Sequence, residues 1–113
     1  LCARTYKGFY AAKVEFAARR VEKAYLCLCH GWPFIGAPFL LDSPLLAVNL
    51  GRRRAMAAQH GRAACTEVVR VGHLLAADTS GGAATATAAA KVSLLEVRLH
   101  TGRRHQIRAH LAG

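Results

Sequence analysis

Val92-Ser93-Leu94-Leu95-Glu96-Val97-Arg98-Leu99-His100, running into Thr101-Gly102-Arg103-Arg104-His105-Gln106-Ile107-Arg108-Ala109, is the stretch on which the fold turns. The first nine residues read as a strand, Thr101-Gly102 as a turn, and His105 to Leu111 as the start of a helix. Three arginines and a histidine then gather at a helix N-terminus. The macrodipole is already positive there, so each cation costs about 0.3–1 kcal/mol. A sequence that breaks a local rule this densely does so at a working site. Backbone N–H groups and guanidinium forks aimed at one place are expected to form an anion pocket for phosphate or carboxylate.

The chain has 113 residues, 53% of them hydrophobic, enough for one compact domain or part of a larger one with a core. Lys and Arg number 16 against 6 Asp and Glu, a formal net charge of +10. That balance suits a polyanionic partner, most often nucleic acid. A solvated basic surface gives the same balance, so charge needs the support of motifs.

Cys2, Cys27, Cys29 and Cys65 form no regular framework, so a reducing compartment is the expectation. Cys27-Leu28-Cys29-His30 lacks the usual knuckle spacing and a second ligand pair, so no metal is expected. Cysteine as a small hydrophobe on a strand is the better reading. Residues 34 to 50 are apolar but broken by Pro38, Asp42, Pro44 and Asn49, which excludes a membrane-spanning helix. No signal peptide is visible. Leu1 and Gly113 both read as cut ends rather than finished ones.

Gly8 to Arg20 reads as a helix, with Phe9, Ala12, Phe16 and Arg20 on one face as a core stripe. Val21 to His30 reads as a strand, with Lys23, Tyr25, Cys27 and Cys29 on one face and Ala24, Leu26 and Leu28 on the other. Residues 31–61 read as an irregular connection carrying the basic run Arg52-Arg53-Arg54. Cys65 to Val71 reads as another strand, with Val69 and Val71 on one face and Val68 on the other. Residues 76–91, rich in Ala, Thr and Gly, read as a low-complexity insertion in a hairpin loop.

Several of these pieces in order carry a resemblance. They are Lys23-Ala24-Tyr25, then Gly31, then Gly61-Arg62-Ala63-Ala64-Cys65-Thr66, then Ser93 to Val97, and last Thr101 to Leu111. The last is specific, and the first two gain weight only from their order. Together the chain from Phe16 to Gly113 resembles the RluA-type family of RNA pseudouridine synthases.

The resemblance implies an α/β (α+β) fold, a mixed, largely antiparallel sheet with flanking helices. It implies isomerisation of uridine to pseudouridine in RNA, ribosomal RNA being the commonest substrate and transfer RNA another. No metal or organic cofactor is implied. Carried over by position, Arg108 matches the arginine that pairs with the catalytic carboxylate, and Tyr25 matches the tyrosine that stacks on the target base. The physics fits both roles: a bidentate arginine keeps a carboxylate ionised and aimed, and an aromatic ring offers a face to a base taken out of its stack. Arg103, Arg104, Lys23, Arg52, Arg53 and Arg54 are the residues expected to meet RNA phosphate. Gln106 is read as bonding backbone, His105 and His110 as cap or core histidines, and Ile107 and Leu111 as core.

The family's nucleophilic aspartate belongs to a segment of the form Arg-Leu-Asp-x-x-Thr-Ser-Gly, expected before the helix at Gly8 and therefore before Leu1. Asp42 and Asp78 are the two aspartates in this chain. His73 to Gly81 imitates the segment, but the nucleophile's own position falls on Ala76, and the match is read as chance. The expectation is thus a partial catalytic domain over 1–113, without its nucleophile and inactive by itself, from a monomeric enzyme whose partner is RNA and not a membrane, in the cytoplasm or an organelle. The competing reading is a non-catalytic basic RNA-binding module derived from the same fold. A DNA-reading helix over Arg103 to His110 is weaker, because no preceding helix makes a helix-turn-helix.

Overall fold

The computed structural model describes residues 1–33, 36–50, 52–76 and 89–112. Its elements are α1 (Tyr6–Ala17), β1 (Ala24–His30), β2 (Phe39–Leu41), β3 (Leu45–Leu50), β4 (Arg52–Ala57), β5 (Thr66–Ala76), β6 (Ala90–Leu99) and α2 (Gln106–Ala112). Four strands form one sheet in the order β1-β6-β5-β2, and β3 and β4 form a separate hairpin. Every pairing among the described residues is antiparallel. The architecture is α+β, an antiparallel sheet with helices, the fold class that the family resemblance implies.

The long β5–β6 ladder is the spine of the sheet. A bulge between Val68 and Arg70 shifts its register. That extra residue brings Val68 and Val71 onto one face, where both meet the cluster of Val68, Leu95 and Val97. Simple alternation places Val71 with Val69, so the bulge overturns the face assignment made from sequence. Each of the three cluster residues is fully buried, worth about 1.5–3 kcal/mol apiece.

On β1 the expected alternation holds. Cys27 and Cys29 pack against the cluster, while Leu26 and Leu28 face away and are exposed. Tyr25 pairs with Val97 in register and so shares the covered face. Ile107 and Leu111 of α2 pack on the same cluster, as expected of core residues. On its other side α2 places Ala109 with Leu45 and Ala64 in a second small cluster. The helix therefore bridges the sheet and the β3–β4 hairpin.

Several sequence expectations need correction. The first helix starts at Tyr6 because the Thr5 side chain caps it, accepting from the Gly8 N–H at 3.1 Å. It stops at Ala17, before Arg19 takes a left-handed backbone with φ 57°. None of its residues is buried, so the Phe9–Phe16 stripe is not core. The ring of Phe9 instead meets Tyr10 edge-on at 5.3 Å. Amphipathic spacing specifies a face but not a partner to cover it.

Residues 31–61 hold three strands rather than an irregular connection. Prolines punctuate the stretch, and the run Arg52-Arg53-Arg54 interrupts the alternation that a hairpin solvated on one face ordinarily shows. The strand expected from Val21 begins at Ala24, and the one expected to end at Val71 runs to Ala76. Ala76 pairs with Ala90 and Leu75 with Lys91, so the ends of the stretch read as a loop belong to strands. Residues 77–88, including Asp78, lie outside the described residues.

Candidate functional site

The turn from β6 into α2 is held by a closed chain of hydrogen bonds. Thr101 Oγ1 accepts from the Cys65 N–H at 2.9 Å and donates to Gln106 Oε1 at 2.8 Å. The same Oε1 accepts the Arg103 N–H at 2.9 Å. Gln106 Nε2 spends its two hydrogens on the Cys65 carbonyl at 2.9 Å and on Thr66 Oγ1 at 3.0 Å. Thr66 Oγ1 lies 2.8 Å from His110 Nδ1, and His110 Nε2 lies 2.9 Å from the Ser43 carbonyl.

A carbonyl only accepts, so Nε2 carries a hydrogen and donates to Ser43. A neutral ring then accepts the Thr66 hydroxyl hydrogen at Nδ1, and every donor in the chain finds an acceptor. Gln106 is 2% exposed, so an amide with all its bonds made is what burial demands. The readings of Gln106 as bonding backbone and His110 as a satisfied core histidine both hold.

This network also corrects the expected anion pocket. The Arg103 N–H is occupied by the side chain of Gln106, the first residue of α2.

Arg103 and Arg104 line a cleft of about 600 Å³ with Gly102, Arg62 and His60, walled by Leu45, Leu46, Ala47 and Ala55 of the hairpin. Arg103 is tethered by its Nε, which donates to the Ala63 carbonyl at 3.1 Å. Arg62 is placed by a two-way backbone bridge: Leu45 N–H to the Arg62 carbonyl at 2.9 Å, and Arg62 N–H to the Leu45 carbonyl at 2.8 Å. That bridge runs so close to Gly61 that a β-carbon there would stand 2.5 Å from the Leu45 carbonyl carbon. Sequence reading missed Arg62 and His60 as cleft residues. The glycine before Arg62 was the available signal, since a glycine between strands marks close backbone approach.

The other expected residues fall as follows. Lys23 Nζ comes within 3.1 Å of where a Gly102 β-carbon would stand, which puts its ammonium beside the same turn. Arg54 pairs with Val48, on the hairpin face opposite Ala47 and Ala55, and so is not brought to the cleft. Arg52 and Arg53 lie on the same strand, β4.

Tyr25 is 47% exposed, on the sheet face that α2 covers. Arg108 is exposed and has no hydrogen bond or ion pair among the described residues. At about 3.6 residues per turn, Arg108 sits at the solvent edge of the Ile107–Leu111 stripe, which rests on that same face. Among the described residues no group of three or more His, Cys, Asp and Glu is placed to hold a metal ion, and no helix is long and apolar enough to cross a membrane.

The fold is similar to that of a solved human protein, RNA pseudouridylate synthase domain containing 1, with a TM-score of 0.74 and 23% identity. The match covers 96% of this chain and 42% of the human one, so the chain spans well under half the length of that relative. No curated protein sequence matches it. The family model for RNA pseudouridylate synthase matches residues 1–113. With that match over its whole length, the chain belongs to the RNA pseudouridylate synthase family.

Proposed function

We propose that the protein isomerises uridine to pseudouridine within RNA, with ribosomal RNA as the substrate, and that residues 1–113 supply the part of the site that holds the base and the catalytic carboxylate. The reaction breaks the bond from N1 to the ribose carbon, turns the base, and joins C5 to that carbon. The proton leaves C5 and N1 gains one, so nothing is consumed and no redox partner is required. Tyr25 stacks on the uracil ring. Arg108 holds the nucleophilic aspartate ionised through a bidentate pair. That aspartate comes from a part of the protein outside these 113 residues.

The observation that carries this reading is the state of Arg108. It is an exposed guanidinium without an ion-pair partner among the described residues, at the edge of a helix stripe seated on the sheet face that bears Tyr25. The described arginine–carboxylate pairs join Arg20 to Glu15 and Arg70 to Glu96, which leaves the Arg108 fork open to a carboxylate. The test is pseudouridine mapping of a ribosomal RNA transcript incubated with the full-length protein. Conversion at a defined uridine is expected, and RNA binding without conversion would favour the non-catalytic module.

A further inference from the structure

We propose that Arg62 and Arg104 form a phosphate cradle for the RNA backbone, separate from the Tyr25–Arg108 pair and responsible for docking the strand rather than for the chemistry. The inference rests on RNA being the substrate, as proposed above. Three observations lead to it. The cleft is lined by Arg62, Arg103, Arg104 and His60, with no acidic side chain among its described lining residues. Arg62 has no side-chain partner among the described residues, and Arg104 has only a long 3.4 Å contact from its Nε to His105 Nε2. Both guanidinium groups are thus available to a ligand.

The walls are also fixed in advance. Arg62 is held by its backbone bridge to Leu45, Arg103 by the Ala63 carbonyl, and the turn by buried Gln106. A cationic groove built on tethered backbone loses little freedom when it closes on phosphate. The walls from Ala47 and Ala55 carry no hydrogen-bonding side chain. A groove of that chemistry holds the sugar–phosphate chain without regard to sequence.

The test uses the full-length protein and a labelled single-stranded RNA oligonucleotide, titrated at several salt concentrations. Arg62→Gln and Arg104→Gln are each expected to raise Kd about five- to tenfold and to flatten the slope of log affinity against log salt by about 0.7. Arg62→Lys, which keeps the charge and the backbone bridge, is expected to restore the slope. In the conversion assay both glutamine variants raise KM, with kcat changed less than about twofold.

An unchanged salt slope in both variants overturns the cradle, as does a fall in kcat at constant KM. Arg62-dependent binding of inorganic pyrophosphate without any effect of Arg62 on RNA also overturns it, because the site then serves a small free anion. A protein that leaves uridine unconverted yet loses salt slope with Arg62 would keep this site and lose the activity proposed above.

Discussion

The side-chain amide of Gln106 donates to Thr66 Oγ1 at 3.0 Å, across forty residues of chain. Through that contact, and the one from Gln106 Nε2 to the Cys65 carbonyl, the start of α2 is locked to the start of β5. Gln106→Leu keeps the size but leaves the Arg103 N–H and the Thr101 hydroxyl without their acceptor, while the Cys65 carbonyl keeps only the His100 N–H. Urea unfolding is expected to report a loss of about 2–4 kcal/mol. A loss below about 0.5 kcal/mol would mean that water replaces the amide without cost.

Thr66 and His110 test the same network from its far end. Thr66→Val removes the hydroxyl that accepts from Gln106 and donates to His110 Nδ1. His110→Leu removes the ring but leaves the Ser43 carbonyl unpaired. In a double-mutant cycle the two changes are expected to couple by about 0.5–3 kcal/mol. Additive effects would show that the Thr66–His110 contact contributes nothing of its own.

Gly61→Ala should damage the hairpin and the cleft together. Its β-carbon would meet Leu45 backbone atoms at 2.5 to 2.8 Å, and backbone cannot swing aside as a side chain can. A stability loss of about 1–3 kcal/mol is expected, along with weaker RNA binding because Arg62 is displaced. Stability unchanged by the substitution would contradict the close approach.

Burial pushes the Cys27, Cys29 and Cys65 thiols above their ordinary value of 9.0, with the neighbouring Cys29 adding to the effect at Cys27 and the Asp42 and Glu67 charges at Cys65. The folded state thus favours the neutral thiol. A folded pKa above the unfolded one gives stability that is complete below the unfolded value and is lost as pH rises through the folded value. The window therefore opens above about 9. Replacing the three cysteines by alanine should make the fall of the urea midpoint above that pH shallower than in the parent; parallel profiles would deny the thiols a part.

Much of this was legible in the sequence because strand β6, the Thr101-Gly102 turn and α2 each follow a strong local signal. The alternation of β1 was equally plain, down to Cys27 and Cys29 sharing a face. The hairpin of β3 and β4 was not, because three arginines in succession carry no period. The Val68 bulge was invisible for a related reason: one extra residue resets alternation without changing composition. In the site, Arg103 and Arg104 announced themselves by sitting where a helix dipole repels them. Arg62 and His60 line the cleft beside the Gly61–Leu45 approach, a tertiary contact whose one local sign is the glycine itself.

Arg108 carries the proposed chemistry most directly. Pseudouridine formation in a ribosomal RNA transcript should be measured for the full-length protein and its Arg108→Lys variant, alongside RNA affinity. Lysine keeps the charge but loses the planar fork, so conversion is expected to fall roughly 10- to 100-fold while RNA affinity stays within a few-fold. Conversion by Arg108→Lys at the parent rate would contradict the claim that this guanidinium holds the reacting carboxylate.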